Sequence, residues 1–426
     1  MALLFPYHRS ITGAGVRKTL SIIRDHIPLR IHEVPSGTRV LDWQIPDEWT
    51  IRDAYIKDAR GRRVLDYAES TLHVVNSSVP VHKTVSLDEL REHVHSLPDR
   101  PDWIPYRYAH YQPSWGFCMR HRDLEELRDP VYEVMIDSEF SAGALTYGEC
   151  ILPGEIEDEV LFSCHICHPE LANDNLSGIA IATEVARALR QQRLRYTYRF
   201  VFVPSTIGAI AWLARNPDCA KNVRHGLVLS NLGDPGDISY KRSRRGDAEI
   251  DRIVEHLLIA AGRPCNVRSF TPYGYDERQY NSPGFNLPVG LLTRTPHDCY
   301  PEYHTSADNL DFVTRESLAD SFAFVMDVIN VIETNRTYRN TSPEGEPELG
   351  RRGLYRKVAG QTGGREHELP YLWVLSFSDG AHSLLDIAAR AGLPYNVVER
   401  AASRLLEAGL LGPDMQNRHA AAAVAE

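Results

Sequence analysis

Residues 160–181 read VLFSCHICHPELANDNLSGIAI, and the interpretation of the chain turns on them. Val160, Leu161 and Phe162 open the stretch as an apolar run, the pattern of a buried strand. The run breaks into His165, Cys167 and His168, then Asn173-Asp174-Asn175, then Ser177-Gly178, before an apolar-periodic helix begins. Imidazole, thiol and carboxylate groups therefore gather on a strand-to-helix loop. In α/β proteins ligands collect at the carboxyl ends of strands. Two histidines and an aspartate are a donor set that zinc accepts.

Working outward, strands alternate with helices. Strand patterns fall at 132–151 (two strands), 197–204, 226–230 and 289–292. Helical patterns fall at 177–191, 207–214, 249–261 and 315–333. This alternation predicts an α/β domain, a mainly parallel mixed sheet with helices on both faces. An N-terminal helix is expected over 15–27, with apolar residues at Val16, Leu20, Ile23 and Ile27 and with Ser10 and Thr12 as caps. Residues 32–115 change texture. Short β-rich pieces lie between turn signals, among them a hairpin at Asp58-Ala59-Arg60-Gly61, and predict a small inserted β-rich domain. The segment PDWIPYRYAHYQPSWG, 101–116, reads either as a surface loop or as an aromatic wall of the cleft.

Residues 340–364 have linker composition. Three short helices follow, over 371–376, 383–391 and 394–408, with Ser383, Gly392, Pro394 and Gly409 as start and stop signals. They predict a winged-helix-like module. The expected division is 1–31 with 116–337 for the α/β domain, 32–115 for the insert, 346–413 for the winged helix and 414–426 for a flexible tail.

A chain of 426 residues is too long for one simple core. A net charge of -10 argues against general nucleic-acid or anionic-membrane binding. The third C-terminal helix carries Glu399, Arg400, Arg404 and Glu407, a mixed set rather than a basic footprint. Packing or dimerisation is the expectation for that module, hence a homo-oligomer that binds no nucleic acid. Seven scattered cysteines do not form a disulfide framework. No export signal or spanning segment is evident, so a cytoplasmic protein is expected. The same absence argues against the haem-attachment reading of Cys164-His165-Ile166-Cys167-His168. A thiol redox pair there is a further alternative.

The turn Asn173-Asp174-Asn175-Leu176-Ser177-Gly178 and the downstream Tyr303-His304-Thr305 resemble the zinc-dependent aminopeptidase superfamily. Six stretches, LFPYHRSITG, VPSGTRVLDWQIPDEW, SCHICHPELANDNLSG, YKRSRRGDAEID, YHTSADNLD and WVLSFSDGAHSLLDIA, are similar to a bacterial aminopeptidase-like branch. That branch often accompanies polysaccharide or specialised-metabolite genes. The resemblance implies zinc, one ion or two, with His165, Asp174 and His304 as ligands and His168 as an adjacent possibility. Asp174 is the bridging position, and Tyr303 assists the reacting carbonyl oxygen. It also implies an amide bond in a small molecule or short peptide as substrate. Three departures stand out. Cys167 occupies the place of the Asp that orients the first histidine, and Ser205 and Thr206 occupy those of two consecutive Glu, the general base and a metal ligand. Glu302, Asp276 and Asp234 are the substitute bases. Asp276 is also a candidate for holding a substrate amine, and Arg244, in the basic run 241–245, a candidate for a substrate carboxylate or phosphate. Loss of the Glu leaves two rival outcomes: altered chemistry on the same scaffold, or a binding or regulatory protein without catalysis.

Overall fold

The computed structural model describes residues 1–264, 266–297, 299–354 and 364–413. The chain divides into two compact units, Met1–Ile250 with Asn266–Phe324, and Asp251–Cys265 with Val325–Glu426.

The first unit is built on an eight-stranded mixed sheet. Its order is Arg30–Pro35, Ala144–Leu152, Thr197–Val203, Glu159–His165, Val223–Leu229, Val289–Thr293, Ser239–Lys241, Asn266–Arg268. The four middle strands, Thr197–Val203 through Val289–Thr293, run parallel, and antiparallel pairs flank them. Every residue of Glu159–His165 is buried, as expected for a strand covered on both faces. Helix Gly178–Leu189 follows the His165–Ser177 loop. It starts tightly, because a Cβ on Gly178 would lie 2.4 Å from Leu229 O.

A second, four-stranded sheet has the order Arg63–Asp66, Glu48–Lys57, Val131–Ser141, Val81–Ser86. The turn at Asp58 forms as read. Asp58 Oδ1 accepts from the Arg60 and Arg62 amides, and Gly61 takes the left-handed φ of 78° that the turn requires. The sheets do not divide at 32 and 116. Arg30–Pro35 pairs with Ala144–Leu152 in the large sheet, and Val131–Ser141 pairs with Glu48–Lys57 and Val81–Ser86 in the small one. The two strands of 132–151 were visible as strands. Their assignment to different sheets depends on partners far away in sequence.

The N-terminal helix, Ala14–Arg24, buries Val16, Leu20 and Ile23. Its cap position is Gly13, not Ser10 or Thr12. Those hydroxyls have other duties: Ser10 donates to Asn76 Oδ1, and Thr12 accepts from the Trp49 amide.

The second unit holds helices Gly364–Phe377, Leu384–Ala391 and Tyr395–Glu407, with a three-stranded sheet ordered Asp379–Ser383, Thr337–Asn340, Leu411–Pro413. The first helix is longer than the predicted 371–376. Ser383 and Asp386 form a reciprocal capping box, and Gly392 ends that helix at a φ of 64°. The tail 414–426 lies outside the described residues. No helix among the described residues is long and apolar enough to cross a membrane. The six described cysteines are all free.

Candidate metal centre

His165 ends its strand and is fully buried. Nine residues later Asp174, also fully buried, turns back toward it, and His165 Nε2 lies 2.8 Å from Asp174 Oδ1. The turn is held by its neighbours. Asp308 accepts from the Asn173 and Asp174 amides at 2.5 and 2.9 Å. The Ser177 hydroxyl donates to Asn173 O and accepts from the Leu232 amide. The Asp174–Asn175 peptide is cis.

The other carboxylate oxygen, Asp174 Oδ2, faces two further imidazoles. His304 Nε2 is 3.0 Å away and His168 Nε2 is 3.9 Å away. Neither Asp174 Oδ2 nor His304 Nε2 is aligned for a hydrogen bond, although both are buried. Two buried atoms, each able to bind a metal, thus face one another at close range. Ligands on a tetrahedral zinc with bonds of about 2.0–2.1 Å lie about 3.3 Å apart. The donor atoms of His165, His168 and Asp174 all fall within 4.8 Å of one another. The residues present therefore fit a zinc ion.

Burial alone would raise the Asp174 carboxyl, but the His168 and His165 imidazoles outweigh it and hold the group well below the usual carboxylate range. Burial drives His168 well below the ordinary imidazole range, against the pull of the Asp174 carboxylate.

His304 has a left-handed φ of 55°, a costly conformation for a non-glycine residue. The aromatic segment predicted as loop or wall holds it there. The Tyr106 amide donates to His304 O at 2.7 Å, and Pro105 bridges Thr305. The Tyr106 ring stands edge-on to both His168 and His304. Tyr303 stacks on His304 with ring centres 3.9 Å apart, and Tyr275 stacks on His165 at 5.1 Å. Burial pushes the Tyr303 hydroxyl up, so it stays protonated and can donate.

The remaining predicted residues separate clearly. Asp234 is saturated, accepting from Asn173, Gly236 and twice from Thr295. The Glu302 carboxylate makes no hydrogen bond or ion pair among the described residues. Its backbone carbonyl is what accepts from Thr305. Arg244 is exposed and directs its guanidinium to Asn286 Oδ1, not to the histidine cluster. Asp276 is fully buried. One oxygen accepts from the Thr206 amide at 2.7 Å, the other has no partner, and burial raises the carboxyl to about 6. Ser205 gives its amide to Cys167 Sγ at 3.2 Å. The positions of the missing Asp and the missing Glu are thus bonded to each other. Arg9 was missed as a contributor: its Nε donates to His168 O at 2.7 Å. The signal is the LFPYHRSITG stretch, which carries the family resemblance without pointing to Arg9 as a contact of the cluster.

With this geometry in view, the comparisons define the class. Residues 1–335 match the family described as "Domain of unknown function (DUF4910)", and the chain belongs to it. Residues 336–413 match a winged helix-turn-helix family. The chain is 50% identical over 410 residues to a Clostridium acetobutylicum protein, covering 96% of this chain and 94% of the relative. That relative is provisionally named a polysaccharide biosynthesis protein with an aminopeptidase-like domain. A crystal structure of a provisionally assigned peptidase from the same organism matches with a TM-score of 0.92 at 49% identity, covering 96% of this chain and 94% of that one. The zinc aminopeptidase of Bacillus subtilis matches with a TM-score of 0.57 at 14% identity, covering 76% and 91%. The fold is that of the zinc aminopeptidases, with a C-terminal winged helix.

Proposed function

We propose that the chain is a zinc-dependent hydrolase of the aminopeptidase type, cleaving an amide bond in a small molecule or short peptide in a biosynthetic setting. The observation that carries this reading is the 3.0 Å approach of the buried His304 Nε2 to the buried Asp174 Oδ2, beside His165 and His168. Asp174, His165 and His304 hold one zinc ion, and His168 is the fourth group in reach. With Thr206 in the place of the ligating Glu, the ligands for a second ion are incomplete. When bound, zinc supplies Lewis-acid polarisation of the carbonyl and acidification of water. The chain's own residues do the rest. Tyr303, held protonated against His304, donates to the oxygen on which charge develops. Asp276, with a free carboxylate oxygen, receives the proton that the missing Glu would have taken. The Tyr106 segment walls the cleft and fixes His304.

The winged-helix module reads as a packing element rather than a DNA reader. Ser403 donates to Glu399, and Arg404 lies 3.8 Å from Glu407, so much of the helix's charge is internally matched.

The test is turnover of a panel of aminoacyl and N-acyl amides. Activity should vanish with a zinc chelator and return with zinc, and Tyr303→Phe should lower kcat by about 100-fold. Turnover indifferent to both treatments would refute the reading.

A further inference from the structure

A cavity of about 560 Å³ opens beside His304, a size suited to a small ligand. Tyr303 and His304 form one side of it, and Leu97, Pro98, Pro105 and Pro301 give it an apolar wall. Two arginines, Arg100 and Arg107, line the same cavity together with one carboxylate residue, Asp99, all three exposed. Arg100 donates to the Asp99 carbonyl at 3.3 Å and lies over the Trp103 ring, 5.4 Å from its centre. The Arg107 side chain makes no hydrogen bond or ion pair among the described residues. Three other arginines of this β-rich region pair with carboxylates. Arg52 pairs with Asp137, Arg63 with Asp53 and Arg122 with Asp102. Two cations against one carboxylate, both outside carboxylate ion pairs, leave the cavity with a surplus of positive charge next to the candidate metal centre.

We infer that this cavity receives the carboxylate end of the amide substrate, so that the enzyme acts on compact N-acyl amino acids or dipeptides. This rests on the hydrolase reading above. A guanidinium fork matches a carboxylate in two parallel charge-assisted hydrogen bonds. The leucine and proline wall suits the apolar side chain attached to that carboxylate. The backbone links from Tyr106 and Pro105 to His304 and Thr305 join the wall to the metal-facing imidazole. The distance from carboxylate to scissile carbonyl is thereby fixed by one rigid segment.

The experiment compares N-acetyl-L-leucine with N-acetyl-L-leucinamide on the zinc-loaded full chain. Binding is read by calorimetry and cleavage by acetate release. Wild type should bind the carboxylate at least about tenfold more tightly than the carboxamide. Arg107→Ala should reduce that ratio to about twofold, and Arg107→Lys should restore part of it. If neither compound releases acetate but the binding ratio follows this pattern, the hydrolase reading fails and the pocket stands. Equal binding of the two compounds by wild type would overturn the pocket. So would a ratio that survives in the Arg100→Ala, Arg107→Ala double variant.

Discussion

Asp308 makes the local argument most sharply, because it touches no histidine of the cluster and yet sets the turn that carries Asp174. Its two oxygens accept from successive amides, Asn173 and Asp174. A carboxamide can offer only one acceptor oxygen there. Asp308→Asn should therefore cost about 2 kcal/mol of stability, the scale of a charge-assisted bond, and should weaken zinc binding at the same time. Denaturant unfolding and zinc titration check this. A variant as stable as wild type with unchanged zinc affinity would contradict it. The cluster of His165, His168 and Asp174 was legible in sequence because an apolar strand, a short polar turn and a helix start are local patterns. Tyr106 was legible only within a segment that fits a surface loop or a cleft wall equally, and Arg9 was not legible as part of the site. Ile104 and Ser306, which stitch the Tyr106 segment to His304, are 202 residues apart, and no local pattern encodes such a contact. Arg244 was read as a ligand group from composition alone, and its true partner, Asn286, is again a tertiary neighbour.

At the scale of the element, the start of helix Gly178–Leu189 couples packing to the site. A Cβ at position 178 would meet Leu229 O and the Asn175 side chain at 2.4 Å. Backbone cannot yield as a flexible side chain does, so the helix must move away from strand Val223–Leu229, and the Asp174 turn must move with it. Gly178→Ala should destabilise the protein by about 2–4 kcal/mol and lower its zinc affinity, where an ordinary helical glycine would gain from the change. Thermal unfolding decides the sign, and a raised Tm would contradict the packing argument. The strand Glu159–His165, the helix after it and the Ser383 cap were readable because burial periodicity and capping are short-range. The register that sends Val131–Ser141 and Ala144–Leu152 into different sheets was not.

For the whole molecule, pH reports on a polar cluster around the N-terminal segment. Burial, reinforced by Arg9, lowers His8 to about 3, and burial lowers His110 to about 4, from 6.5. His8 Nδ1 meets the Tyr67 hydroxyl, and His110 Nδ1 meets Ser77 Oγ. Below pH 6.5 the unfolded chain takes up protons that the folded chain refuses. The stability present above 6.5 is therefore lost as pH falls toward 4, at about 1.4 kcal/mol per pH unit for each histidine once past 6.5. Thermal unfolding between pH 7.5 and 4.5 should show Tm falling through this window, less steeply in His110→Asn. A flat profile would contradict the burial of these rings as neutral groups. The C-terminal winged helix was legible from its cap residues, Ser383 and Gly392.

The most direct test of the central claim is metal content per chain, by elemental analysis of protein purified without chelator or added metal. Wild type should carry about one zinc, and His304→Ala should lose it while keeping its fold. A folded wild-type chain that holds no metal would contradict the account.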